Sequence, residues 1–144
     1  MLNQAKIHLN KACHMLYTTF PLMQENHMLL SIFTEIYQAV RKIIIFLLNK
    51  ERQKMNIQIY KDPKLNFKTF IHKVAPNYLK EGQLSTLIEI LKINKKHSQA
   101  SLEFVRKDKF VILINSEYEI LTIQKIKDFY NTTQQIIKQI EEKI

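Results

Sequence analysis

The sequence predicts a mainly α protein: a helical bundle of about five helices with a small antiparallel β-hairpin inserted before the last helix. Three observations carry this. The chain holds 1 Gly and 3 Pro in 144 residues, where average usage would give roughly ten and seven. Folds rich in tight turns need glycine, so most sandwiches, barrels and dinucleotide-binding units are ruled out. Apolar residues recur at spacings of three and four through most of the chain, and the period changes to two only between about residues 102 and 122. Apolar content of 46% and charged content of 24% suit a single globular domain over residues 1–144, with no repeat, low-complexity tract or long linker to divide it.

The first segment spans about 2–20, where Leu2, Ala5, Leu9, Ala12, Leu16 and Phe20 form a stripe, and Pro21 is expected to stop or kink it. The second spans about 26–50. It is apolar on nearly every face (Leu29, Ile32, Phe33, Ile36, Val40, Ile43, Leu47), which marks it as the central helix. Its apolar excess also suggests self-association. The run Ile43–Leu48 is far short of the ~20 residues of a membrane span and is bracketed by Arg41-Lys42 and Lys50. Residues 51–62 read as a polar, basic connector, with Ile57–Tyr60 briefly extended. Asp62-Pro63 reads as an N-cap followed by proline at the first helical position. The third segment carries Leu65, Phe67, Phe70, Ile71 and Val74 and ends at Pro76. A fourth runs from near Tyr78 through Gly82 to about His97, with a stripe of Leu84, Leu87, Ile88 and Leu91. Strands are expected near 110–114 and 118–122 around an Asn115-Ser116-Glu117 turn, with a third near 102–105. Thr122 is placed to cap the last helix, whose face is Ile123, Ile126, Phe129, Tyr130, Ile136, Ile137 and Ile140.

The same composition narrows the chemistry. One glycine cannot build a phosphate-cradling loop or a nucleophile elbow. Cys13 is the only cysteine, so no intrachain disulfide forms, a cytoplasmic setting is favoured, and a zinc cluster is excluded. Cys13 lies on an apolar helical stripe and reads as a structural thiol. The histidines His8, His14, His27, His72 and His97 include no i, i+4 pair, so no metal site is expected. No pair of carboxylates is marked for acid–base work, and no cofactor is indicated. The N-terminus lacks the apolar core and cleavage site of a signal peptide. The chain reads as non-catalytic. The one enzymatic alternative is a nuclease site assembled from His97, Glu103 and Arg106.

Charge is the feature that points outward. The formal net charge is +9, and its excess centres on residues 51–80, where seven Lys/Arg face two acids. A polyanionic partner, RNA first, is the expectation; AT-rich coding gives a similar Lys-, Ile- and Asn-heavy composition. The candidate nucleic-acid contacts are Arg52, Lys54, Lys61, Lys64, Lys68 and Lys73, together with His97, Arg106, Lys107 and Lys109 at the helix-to-hairpin junction. Aromatic residues interleave with the first group at Tyr60, Phe67, Phe70 and Tyr78. Phe67 and Phe70 have core-like spacing, which puts aromatics inside and lysines outside, a pattern that gives salt-sensitive, sequence-blind binding. The alternative is a protein-interaction or assembly subunit, antitoxin-like, that uses the second helix and the hairpin edge.

Two long N-terminal helices over 2–20 and 26–50, shorter helices, and a final helix over 123–143 resemble the HEPN family (higher eukaryotes and prokaryotes nucleotide-binding), leaving the hairpin as an addition. Many members are ribonucleases with an Arg followed four to six residues later by His. Arg41, Arg52 and Arg106 have no His at that spacing, so no catalytic residue carries over. The resemblance implies a homodimer packed through helices, with a role near RNA or nucleotides.

Overall fold

The computed structural model describes residues 2–144. Its helices are α1 (Leu2–His14), α2 (Phe20–Met23), α3 (Met28–Gln53), α4 (Pro63–Thr69), α5 (Ala75–Tyr78), α6 (Glu81–Ser98) and α7 (Ile123–Lys143). Two π-helical turns, Met15–Thr19 and Phe70–Val74, join α1 to α2 and α4 to α5. The described residues therefore form five helical rods, with strands β1 (Leu102–Arg106), β2 (Lys109–Ile114) and β3 (Glu117–Leu121) between α6 and α7. This is the mainly α bundle with a small antiparallel insertion that the sequence predicts.

Both π turns immediately precede a proline-bearing turn. Pro76 does not end its helix, which corrects that expectation, and at Pro21, where a stop or a kink is expected, the rod does not stop. A proline ring clashes with the carbonyl four residues back and brings no N–H. In each case the preceding turn widens, so that Phe20 N–H reaches Met15 O and Ala75 N–H reaches Phe70 O, five residues back. The wider turn accommodates the ring, and the rod continues to Met23 or Tyr78. At Asp62-Pro63 the expectation holds. Asp62 Oδ1 accepts from Lys64 N at 2.9 Å, with Pro63 at the first helical position.

α3 has 26 residues, about 39 Å at 1.5 Å per residue. It packs against α1, α7, α6, the second π turn and β2. Leu29, Ile32, Phe33, Ile36, Ala39, Val40, Ile43 and Leu47 are fully buried along it. None of its large apolar side chains is exposed. Leu30, Tyr37, Ile44, Ile45 and Phe46 are half-buried, so most of the apolar excess of this helix is covered by the chain itself. α3 also runs three residues past the expected end, which puts Arg52 on a helix instead of in a connector. Residues 57–60 form no strand.

α6 begins at Glu81, later than expected, because Leu79 and Lys80 are extended. Gln83 Oε1 accepts from Lys80 N at 2.9 Å, and the Gln83 and Gln139 amides pair, tying the start of α6 to α7. The third strand exists, in the order β1-β2-β3. Two-residue turns link the strands, with Lys107 (φ 56°) and Asn115 (φ 54°) in the left-handed region. Phe110, Ile112 and Leu121 face the core together with the half-buried Val105. Thr122 Oγ1 accepts from Lys125 N at 3.2 Å and caps α7 as expected. Among the described residues, no helix is long and apolar enough to cross a membrane.

Candidate nucleic-acid interface

The cations of residues 51–80 stand around the C-terminal end of α3. The helix stops in a Schellman arrangement: Asn56 N–H bonds Glu51 O at 3.1 Å and Met55 N–H bonds Arg52 O at 2.9 Å. Met55 takes the left-handed position (φ 63°) that glycine usually fills. This turn brings Asn56 under Glu51. The Glu51 side chain follows Leu47 and Leu48 on the buried line of α3 and is only 3% exposed. One of its oxygens accepts from Tyr78 Oη at 2.5 Å and the other from Asn56 Nδ2 at 2.7 Å. Lys54 Nζ lies 3.4 Å from Tyr78 Oη and 3.9 Å from the carboxylate. The Asn56 and Tyr78 hydrogen bonds, with Lys54, outweigh burial and hold the Glu51 carboxyl below its ordinary range. Burial, reinforced by the facing carboxylate, pushes the Tyr78 hydroxyl up to about 12.

The only other acid of this stretch, Asp62, is the N-cap of α4. Both carboxylates are thus committed to structure, one of them buried. Arg52, Lys54, Lys61, Lys64, Lys68 and Lys73 are all exposed. Among the described residues, only Lys54 of these six makes an ion pair. Asn66 pins the connector to α4 by bonding both the N–H and the C=O of Tyr60, at 2.7 and 2.8 Å. The aromatics divide as their spacing suggests. Phe70 and Tyr78 are buried and Phe67 is half-buried, while Tyr60 is exposed. Leu65 is exposed, against expectation, because it sits in the first turn of α4, away from the core.

The second expected group lies elsewhere. Asn26 Nδ2, just before α3, donates to Lys107 O at the β1–β2 turn at 2.6 Å. The ring of His27 meets Phe110 edge-on at 6.2 Å. The β1–β2 turn therefore sits at the N-terminal end of α3, and Arg52 and Lys54 at its C-terminal end, about 39 Å away along the helix. The ten candidates form two surfaces, not one face. Sequence periodicity fixes which residues line a helix, but not which loop returns to which end.

Within the second group, His97 is not a free cation site. Its Nδ1 lies 2.5 Å from Glu103 Oε2. Glu119 binds Lys96 and Lys125 at 3.1 and 3.2 Å. Burial alone would raise the Glu119 carboxyl, but the two ammonium groups bring it below its usual value. Glu103 and Glu119 alternate with Phe104 and Ile120 along their strands, so these carboxylates face α6 and α7. Arg106 has the opposite parity. The structure brings His97 to Glu103 but leaves Arg106 on the other side of the sheet, so the three do not meet in one cleft.

That other side carries Leu102, Phe104, Arg106, Lys109, Val111, Leu113, Tyr118 and Ile120 by register. Tyr118 is 65% exposed. A hollow of about 470 Å³ opens here, walled by Phe104, Val111, Tyr118 and Ile120, with Arg106, Lys107 and Lys109 at its rim. The sequence hinted at this face: Phe110–Ile114 is apolar at both parities, more than one covered side requires. No group of three or more His, Cys, Asp or Glu among the described residues is placed to hold a metal ion. Compared with family models, curated proteins and solved structures, the chain matches none.

Proposed function

We propose that this chain is a non-catalytic helical module that binds RNA or a similar polyanion through the lysine surface at the C-terminal end of α3. One observation supports this above the others: the two carboxylates of residues 51–80 are hydrogen-bonded into the fold, and Arg52, Lys61, Lys64, Lys68 and Lys73 make no ion pair among the described residues. Such a surface gains affinity by releasing counterions from a phosphate backbone and is indifferent to base sequence. Five contacts to a single strand would make affinity fall about 100-fold between roughly 50 and 200 mM salt. Electrophoretic or anisotropy titration of single-stranded RNA across that range tests it. In a Lys64→Gln, Lys68→Gln double variant the slope should fall by about two-fifths. No binding at low salt, or a slope the double variant leaves unchanged, would remove the proposal.

A protein-interaction role is the second reading. It is favoured by the apolar outer face of the sheet, which no element of the chain covers.

A further inference from the structure

Resting on the RNA reading above, we infer that the outer face of the sheet is a stacking site for an unpaired nucleotide, with its base on the ring of Tyr118 and its phosphate on Arg106 and Lys109. Four features carry this. First, charge is sorted by parity. Glu103, Glu117 and Glu119 lie on the core-side register, whereas the charged residues of the outer register are Arg106 and Lys109, which are paired across β1 and β2. An anion approaching the hollow meets cations only until it reaches Asp108 in the turn beyond. Second, the apolar walls sit beside those cations, and the hollow of about 470 Å³ is within the size of small-molecule sites. Third, the face offers a ring to stack on. Phe104 pairs with Val111 and Val111 with Ile120, so these three cross the face as one apolar row, and Tyr118 stands exposed two residues along β3 from Ile120. A base laid on the Tyr118 ring rests beside that row. Fourth, the strands give this face two cations and no carboxylate, so a second copy of the same face brings no charge complement, whereas a phosphate does.

A nucleotide inside a duplex is already stacked and cannot enter, so this surface distinguishes single from double strands, which the lysines of α4 do not. Tyr118 is the residue to change, because at 65% exposure it contributes little to the core. The experiment is anisotropy with a short fluorescent oligouridylate and a duplex RNA of equal length, at low salt. Wild type should bind the single strand more tightly than the duplex. Tyr118→Ala should weaken single-strand binding roughly 5- to 150-fold and leave duplex binding unchanged, while Tyr118→Phe retains both. If wild type binds RNA with the expected salt dependence but Tyr118→Ala matches it on both ligands, the stacking site is wrong and the lysine surface stands. Binding to neither RNA defeats both. If polyglutamate binds in a Tyr118-dependent way and oligouridylate does not, the face is a docking surface for an acidic polypeptide and the nucleotide inference is overturned.

Discussion

At the C-terminal end of α3, a buried carboxylate is held by Tyr78 and Asn56, and the charge on the surface outside it is mostly lysine and arginine. At the N-terminal end, the hairpin is fastened through a surface bond from Asn26 to the Lys107 carbonyl, and its cations border an apolar hollow. Both ends turn carboxylates inward, Glu51 at one and Glu103 and Glu119 at the other. The difference is in what remains outside. One end gathers charge around a mainly polar hollow of about 590 Å³, and the other sets charge at the rim of an apolar one. Net charge by itself therefore does not describe how a polyanion would be held.

The comparison is broken most severely at Glu51. Glu51→Ala leaves a buried tyrosine hydroxyl and an amide without their acceptor, and should cost about 2–4 kcal/mol. The urea midpoint measures this; a loss below about 0.5 kcal/mol would mean the network contributes nothing beyond an exposed side chain. The next effect depends on pH. The Tyr78 hydroxyl is raised from 10.0 to about 12, so the folded state favours its neutral form. The associated stability, about 2–3 kcal/mol, is present below pH 10 and is lost as pH rises toward about 12. A titration at 295 nm, wild type minus Tyr78→Phe, should show this one tyrosine ionising late. Glu51 acts in the opposite sense: its carboxyl is depressed from 4.5, so its contribution holds above that value and is lost as pH falls through the folded value. The smallest effect is at the other end. Asn26→Ala removes a surface hydrogen bond worth less than about 1 kcal/mol. It should speed amide exchange at the β1–β2 turn and leave residues 51–56 unchanged. Equal acceleration at both ends would show that α3 does not separate them.

Much of this architecture was legible in the chain. The apolar face of α7 and the caps Asp62 and Thr122 are local signals, and local structure follows them. The passage through Pro21 and Pro76 was not legible, because a bond spanning five residues leaves no mark in a period of 3.6. Glu51 was missed for a different reason. In a run with Lys50, Arg52 and Lys54 it looks solvated, and its partner Tyr78 is 27 residues later. Its one sequence signal is its place three and four residues after Leu48 and Leu47. The basic candidates were found by composition, but their division between two ends depends on where the hairpin folds back, which only tertiary packing decides.

The two π turns bear on which changes in chain length these helices can survive. A π turn holds one residue more than the α-helix that would cover the same path. Deleting a residue from α3 would rotate everything beyond it by about 100° and carry Ile43 and Leu47 off their buried line. Deleting one from Met15–Thr19, with Pro21 replaced by a residue bearing an N–H, would instead let that rod relax into uninterrupted α-helix with α2 still in phase. Each proline thus accompanies a spare residue, and these two turns are where the bundle can be shortened without changing which side chains face inward.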